Sequence, residues 1–168
     1  MQAGLWIHGR KRPLMAIGSI PKQWPRMVAA GVGAGIVGGI AIDAFLYIVL
    51  LLPAHQPITL VWQAISLAAT GHTVASPWLG LLLHFCVSIA WGIGYAYAAF
   101  MRPAIAGRPY ISGPVFGLIV MLLIQLVQLV AGVKVPAISV RLLITFIFGY
   151  SLFFGLPVAL YVHRALRT

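Results

Sequence analysis

Residues 27–52 read MVAAGVGAGIVGGIAIDAFLYIVLLL. The stretch holds a single charged residue, Asp43, and lies between Pro25 and Pro53. A helix needs about 20 apolar residues to cross a hydrocarbon core about 30 Å thick. This run is long enough, and its prolines fall at the ends, where a helix tolerates them. Three further runs of the same kind follow, at roughly 77–101, 110–133 and 138–162. Pro77, Pro103, Pro109 and Pro136 punctuate them, and Pro157 inside the last predicts a kink. The expected fold is all-α: a polytopic membrane four-helix bundle occupying residues 27–168, preceded by a basic segment, 1–26.

Composition agrees with lipid as the solvent. Of 168 residues, 62% are hydrophobic and 7% charged, and the mean hydropathy is +1.04. A soluble domain carries about 25% charged residues. Eleven Lys and Arg stand against one acid. In a soluble chain that imbalance would suggest nucleic acid. Here no basic run interleaves with aromatics on a polar surface, so the cations read as topology signals and lipid-headgroup contacts. Arg10-Lys11-Arg12 could open a signal peptide, but Pro13, Gly18 and Pro21 break the apolar stretch behind it. The first span is therefore expected to act as an uncleaved anchor.

Placing the N-terminus in the cytoplasm puts Arg10, Lys11, Arg12, Lys22, Arg26, Arg102, Arg108, Arg164 and Arg167 inside, and only Lys134 and Arg141 outside. The positive-inside rule then predicts cytoplasmic N- and C-termini. Trp6, Trp24, Trp62, Trp78 and Tyr110 fall near the expected interfaces and read as an aromatic belt. In the first outer loop, Thr59, Gln63, Ser66 and Thr70 recur at intervals of four, three and four, one polar stripe on an apolar helix. Such a helix is expected to lie in the outer interface or to cap the bundle, with packing preferred over gating as its role.

Small and polar residues recur every four positions on each span. The stripes are Gly31, Gly35, Gly39, Asp43 and Tyr47; His84, Ser88, Gly92 and Ala96; Gly113, Gly117, Met121 and Gln125, with Gln128 beside them; and Arg141, Thr145 and Gly149. Small residues at this spacing let helix backbones approach closely, so these faces are expected to point inward or at a partner. At 1.5 Å per residue, Asp43 lies about 14 Å below the outer end of its span, His84 about 10 Å, Gln125 about 12 Å and Thr145 about 10 Å. With shallower Gln128 and Arg141 they define a candidate polar site in the outer half. A faint repeat relates span one to span three and span two to span four: Gly35 to Asp43 matches Gly117 to Gln125, at an offset of 82, and LLLHF at 81–85 resembles LLITF at 142–146, at an offset of 61.

Asp43 is the chain's only acid, and a carboxylate at that depth costs at least about 2.5 to 3.5 kcal/mol unless it is paired or holds a proton. His84 and Arg141 are the candidate partners. A metal centre would draw on His55, His72 and His84, but no two of these stand at i, i+4, and no Cys or second acid joins them. Cys86 has no partner for an internal disulfide and reads as a small core residue. No phosphate-cradling loop is present, paired-carboxylate chemistry is impossible within one chain, and Ser88 and Ser112 have no base placed beside them by any motif. No cofactor is expected.

The glycine-rich first span ending in Asp43, LLHF around His84, and GLPVAL at 155–160 together resemble a set of uncharacterised bacterial four-helix membrane proteins. The resemblance covers most of the chain from the first span onward and implies fold and an inner-membrane location rather than chemistry. Members often carry a histidine early in the fourth helix, where this chain has Thr145. The expected function is that of a non-enzymatic membrane subunit, packing through its glycine stripes against copies of itself or the subunits of a larger complex. The alternatives are an oligomeric, proton-coupled carrier using the outer-half site, and a metal- or cofactor-binding membrane protein.

Overall fold

The computed structural model describes residues 23–71, 73–130 and 139–167. Its elements are α1 (Trp24–Leu46), which continues as a π-helical turn over Tyr47–Leu51; α2 (Thr59–Ala69); α3 (Pro77–Met101); a single turn, α4 (Pro103–Ala106); α5 (Pro109–Val130); and α6 (Val140–Phe148), which runs through a π-helical stretch, Gly149–Gly155, into α7 (Leu156–Arg167). Among the described residues, four helical runs are long and apolar enough to cross a membrane: Trp24–Leu51, Pro77–Met101, Pro109–Val130 and Val140–Arg167. Mid-span Ile40, Ile119 and Leu122 are 47% to 57% exposed, which a lipid solvent makes favourable. The chain is a multi-pass membrane protein.

The second span runs over the residues expected of it. The first begins three residues earlier than expected because Pro25 seats itself in the first turn, where its missing N–H costs nothing. Ser76 and Ser139 cap α3 and α6, accepting from the N–H groups of Leu79 (3.3 Å) and Leu142 (3.2 Å). Gly71, at φ +62°, follows the last turn of α2 and ends it. In the fourth span the irregularity sits in the turns just before Pro157, as a π-helical stretch. Pro157 has no N–H to close the ladder there, and the wider turn absorbs the mismatch. Trp6, the basic residues before Gln23, His72, Lys134 and Pro136 lie outside the described residues.

Antiparallel α1 and α3 form one tight pair, α5 and the fourth span a second, and α1 also packs along the fourth span. Each pair is locked by three glycines. A methyl group at Gly92 would strike the Gly31 carbonyl and lie 2.6 Å from Gly35 N; one at Gly155 would strike the Gly113 carbonyl and lie 2.7 Å from Gly117 N. Gly31 to Gly113 and Gly35 to Gly117 are each 82 residues, the repeat offset read from sequence. Gly92 to Gly155 is 63 rather than 61, and the two extra residues fall in the part of the fourth span that holds the π-helical stretch, where each turn takes more residues. The two hairpins therefore share one packing device.

The stripes face inward with two exceptions. Tyr47, at the end of α1, is 38% exposed. Arg141 is exposed as well. The α2 stripe is not a water-facing edge. Ser66 is fully buried, its hydroxyl within 3.0 Å of the carbonyls of Gln63 and Val74, and Thr70 donates to Ser66 O (2.7 Å) and accepts from Val74 N (3.2 Å). The stripe ties down the α2–α3 turn. Helix α2 lies directly on α3, because Gly80 has no side chain to hold off the Trp62 backbone.

Candidate functional site

Asp43 stands on the buried face of α1, one turn before the π-helical turn, and is 8% exposed. His84, about two turns into α3, faces it across the glycine-lined contact. His84 Nε2 lies 3.4 Å from Asp43 Oδ1 and 3.3 Å from the Gly39 carbonyl oxygen. The Gly39 carbonyl can only accept, so a hydrogen bond to it places the hydrogen on Nε2. The other carboxylate oxygen, Oδ2, accepts from Trp62 Nε1 at 3.1 Å. Oδ1 is buried and has no hydrogen-bond partner of good geometry. A buried acceptor with an unused lone pair is costly to maintain and marks a place where a proton, a donor or a cation would be welcome.

Two cavities meet at this pair. One, of about 300 Å³, is lined by Asp43, His84, Gln128 and Tyr150 among apolar side chains of α1, α2 and the fourth span. The other, of about 460 Å³, shares His84, Gln128 and Tyr150, adds Ser88, and opens between α3 and α5. The opening exists because these helices meet at the far end, through Trp91, Tyr95 and Phe116, and splay apart beside the site. Tyr95 donates to Ser112 Oγ (2.8 Å), whose own proton goes to the carbonyl of Ile105 or Arg108, each 2.9 Å away, and this closes the splayed pair at one end. A largely apolar cavity with a few converging polar groups is the usual form of a small-molecule site.

Of the six residues assigned to an outer-half site, the structure brings Asp43, His84 and Gln128 together. Gln125 is half-buried on α5 and lines neither cavity. Thr145 turns back to donate to the Arg141 carbonyl in its own helix (2.9 Å), and exposed Arg141 lines neither cavity. Gly149, four residues after Thr145, keeps to the buried face. Gly149 packs on Phe45 and Ile42, while Tyr150 lines the cavities. Tyr150 and Trp62 were not legible as site residues. Trp62 belongs to the site rather than to the aromatic belt, whereas Trp78 and Tyr110, 76% and 73% exposed, occupy belt-like positions.

Among the described residues no three His, Cys, Asp or Glu side chains gather into a metal-binding group. His55 is exposed on the turn after α1. Comparison of the chain with protein-family models, with characterised proteins and with solved structures returns no match.

Proposed function

We propose that this chain is a carrier that takes a small amphiphilic cation into its outer-half cavity in exchange for a proton on the Asp43–His84 pair. The observation that carries this reading is Asp43 itself, which lines a cavity and whose buried Oδ1 lacks a hydrogen bond among the described residues. An apolar cavity with one carboxylate complements a ligand that is apolar in body and positive or proton-donating at one point. Binding of a cation as the carboxyl releases its proton leaves the site's net charge unchanged, so the exchange avoids creating an uncompensated charge in lipid. The mouth between α3 and α5 is bordered by exposed Val87, Leu123 and Val127, a route for a ligand dissolved in the bilayer.

In this reading the chain resides in the bacterial inner membrane with both termini in the cytoplasm, and α2 lies at the outer interface. Among the described residues, Arg26, Arg102, Arg108, Arg164 and Arg167 gather at one end of the bundle and Arg141 at the other. A C-terminal fluorescent-protein fusion should be bright and a C-terminal alkaline-phosphatase fusion inactive; the reverse pattern rejects this orientation.

The functional test uses tetraphenylphosphonium as the probe and the weakly buffered, detergent-solubilised protein. Binding should release protons and perturb Trp62 fluorescence. Asp43→Asn should do neither while keeping its helix content and elution volume. Intact wild-type protein that binds no probe up to millimolar concentration would overturn the cation-carrier reading.

A second reading, a subunit that packs against other chains, draws on a different surface. Cys86, Ala90 and Gly94 form an exposed small-residue stripe on α3, and nothing lies within 4 Å of a methyl group placed at Gly94. Such stripes are where membrane helices associate. Mild-detergent purification with mass spectrometry separates the readings. A stoichiometric partner that is lost on Gly94→Leu supports the subunit; recovery of the chain alone rejects it.

A further inference from the structure

Asp43 borders a further cavity, of about 650 Å³, which it shares with neither His84 nor Gln128. Around α1, Ile42 and Leu46 line the His84 cavity on one flank of the acid, and Ala44 and Tyr47 line this one on the other. The carboxylate therefore stands between two spaces. Three aromatic side chains border the second: Tyr47, Trp62 and Phe85. Tyr47 follows Asp43 by one helical turn. Trp62 Nε1 donates to Asp43 Oδ2 at 3.1 Å. Phe85 reaches α1 one turn before the acid, because Gly39 has no side chain there: a methyl group on Gly39 would lie 3.2 Å from Phe85 Cε1. The rest of the lining is aliphatic.

This lining selects among cations. Its side-chain polar groups are the Asp43 carboxylate, the Trp62 N–H already given to it, and the Tyr47 hydroxyl. A primary ammonium would bring three N–H donors to one carboxylate and one hydroxyl, and a donor left bare in an apolar site is costly. A quaternary ammonium has no donor to satisfy. It needs an opposite charge and aromatic rings, which attract a cation within about 6 Å of their centroids. We propose that this cavity binds the trimethylammonium head of a quaternary ammonium compound, with its charge on Asp43 and its methyl groups among Tyr47, Trp62 and Phe85. Exposed Ile40 and Tyr47 border the cavity and leave an apolar path for an alkyl tail. The inference rests on the carrier reading in one respect, that Asp43 gives up its proton to a cation, and it adds the class of cation. A choline lipid carries the same head but brings its phosphate, and among the described residues no basic side chain lines the cavity to receive one. The ligand is therefore a quaternary ammonium without a phosphate.

The test is calorimetric titration of the full chain, in neutral maltoside micelles, with choline and with 3,3-dimethyl-1-butanol, which has the same shape but carbon in place of the charged nitrogen. Choline should bind more tightly by about 30-fold, the scale of a desolvated cation among aromatic rings. Asp43→Asn should erase that preference. Tyr47→Leu and Phe85→Leu should each weaken choline about fivefold, the value of one partly exposed ring, and Trp78→Leu, which removes an exposed aromatic elsewhere, should not. Unchanged helix content and elution volume establish that Tyr47→Leu, a change at a half-exposed side chain, is folded. Equal binding of choline and the alcohol, by protein that still releases protons on binding tetraphenylphosphonium, would overturn the aromatic site and leave the carrier reading standing. Choline binding with the expected ring dependence but without proton release would support the site and refute the exchange. No response to either cation would overturn both. In nanodiscs of phosphatidylcholine with phosphatidylglycerol, native mass spectrometry should show no selective retention of phosphatidylcholine. Selective retention that is lost in Tyr47→Leu would overturn the assignment in favour of a lipid headgroup.

Discussion

Gly80→Ala tests how α2 holds the acid. Gly80 is on α3, and its substitution removes no polar group. A methyl group there would lie 2.9 Å from the Trp62 Cα and nearer still to its carbonyl, so α2 must lift. Overpacking of this kind costs about 1 to 3 kcal/mol. The lift also draws the indole N–H away from Asp43 Oδ2, now 3.1 Å distant. That bond contributes about 1.5 to 3 kcal/mol if the carboxyl is ionised and about 0.5 to 1.5 if it is neutral. Trp62→Phe removes the bond beforehand but leaves the backbone clash. Gly80→Ala should therefore cost less in the Trp62→Phe background than in the wild type, by the value of the bond, and the size of the coupling reports the charge state of Asp43. Reversible unfolding in mixed micelles measures each corner of the cycle, and the difference spectrum against Trp62→Phe follows the indole. If Gly80→Ala costs the same in both backgrounds within about 0.5 kcal/mol, and the indole spectrum does not move, then α2 does not position Trp62 over the acid.

Other substitutions separate the packing devices. Gly92→Ala and Gly155→Ala should each destabilise by about 1 to 3 kcal/mol, to similar extents, since both pry apart a three-glycine contact; Gly94→Ala should be neutral or stabilising by up to about 1 kcal/mol. Thermal melting of the three variants checks this, and a large loss at Gly94 alone would show that the stripe on α3 is covered. His55 holds φ +55° in the turn after α1, so His55→Gly should stabilise by about 1 kcal/mol, and a loss on melting would mean that the imidazole has a contact of its own. Tyr95→Phe should cost about 1 kcal/mol and leave Ser112 bonded to the carbonyls of Ile105 and Arg108; a cost well above this would give the Tyr95 hydroxyl a further role at the closed end of the α3–α5 pair.

The four spans could be read because lipid imposes a one-dimensional rule: about 20 apolar residues in a row, whatever their neighbours. Small and polar residues at intervals of four marked the buried faces of α1, α3 and α5 because a regular helix returns to the same face on about that period. Asp43 and His84 stood out because each is rare at its depth. The four-residue period did not place every site residue. Tyr47, Arg141 and Thr145 keep to it in regular helix and lie outside the Asp43–His84–Gln128 site, whereas Tyr150, off that period in a π-helical stretch that the sequence does not announce, lines the cavities. Trp62 had the position of an interface tryptophan, and nothing local to it distinguishes a belt from a hydrogen bond to an acid nineteen residues earlier.

The sequence by itself determined that the chain is helical, that it needs lipid as solvent, that it holds one acid, and which glycine faces are buried. All of these follow from composition and spacing along a single helix. Only the tertiary structure decided which partner the acid takes, that Trp62 closes over it because Gly80 lets α2 down onto α3, and that α3 and α5 part to leave a cavity beside it. Those are properties of how far apart helices stand, and that distance is set by contacts between residues far apart in the chain.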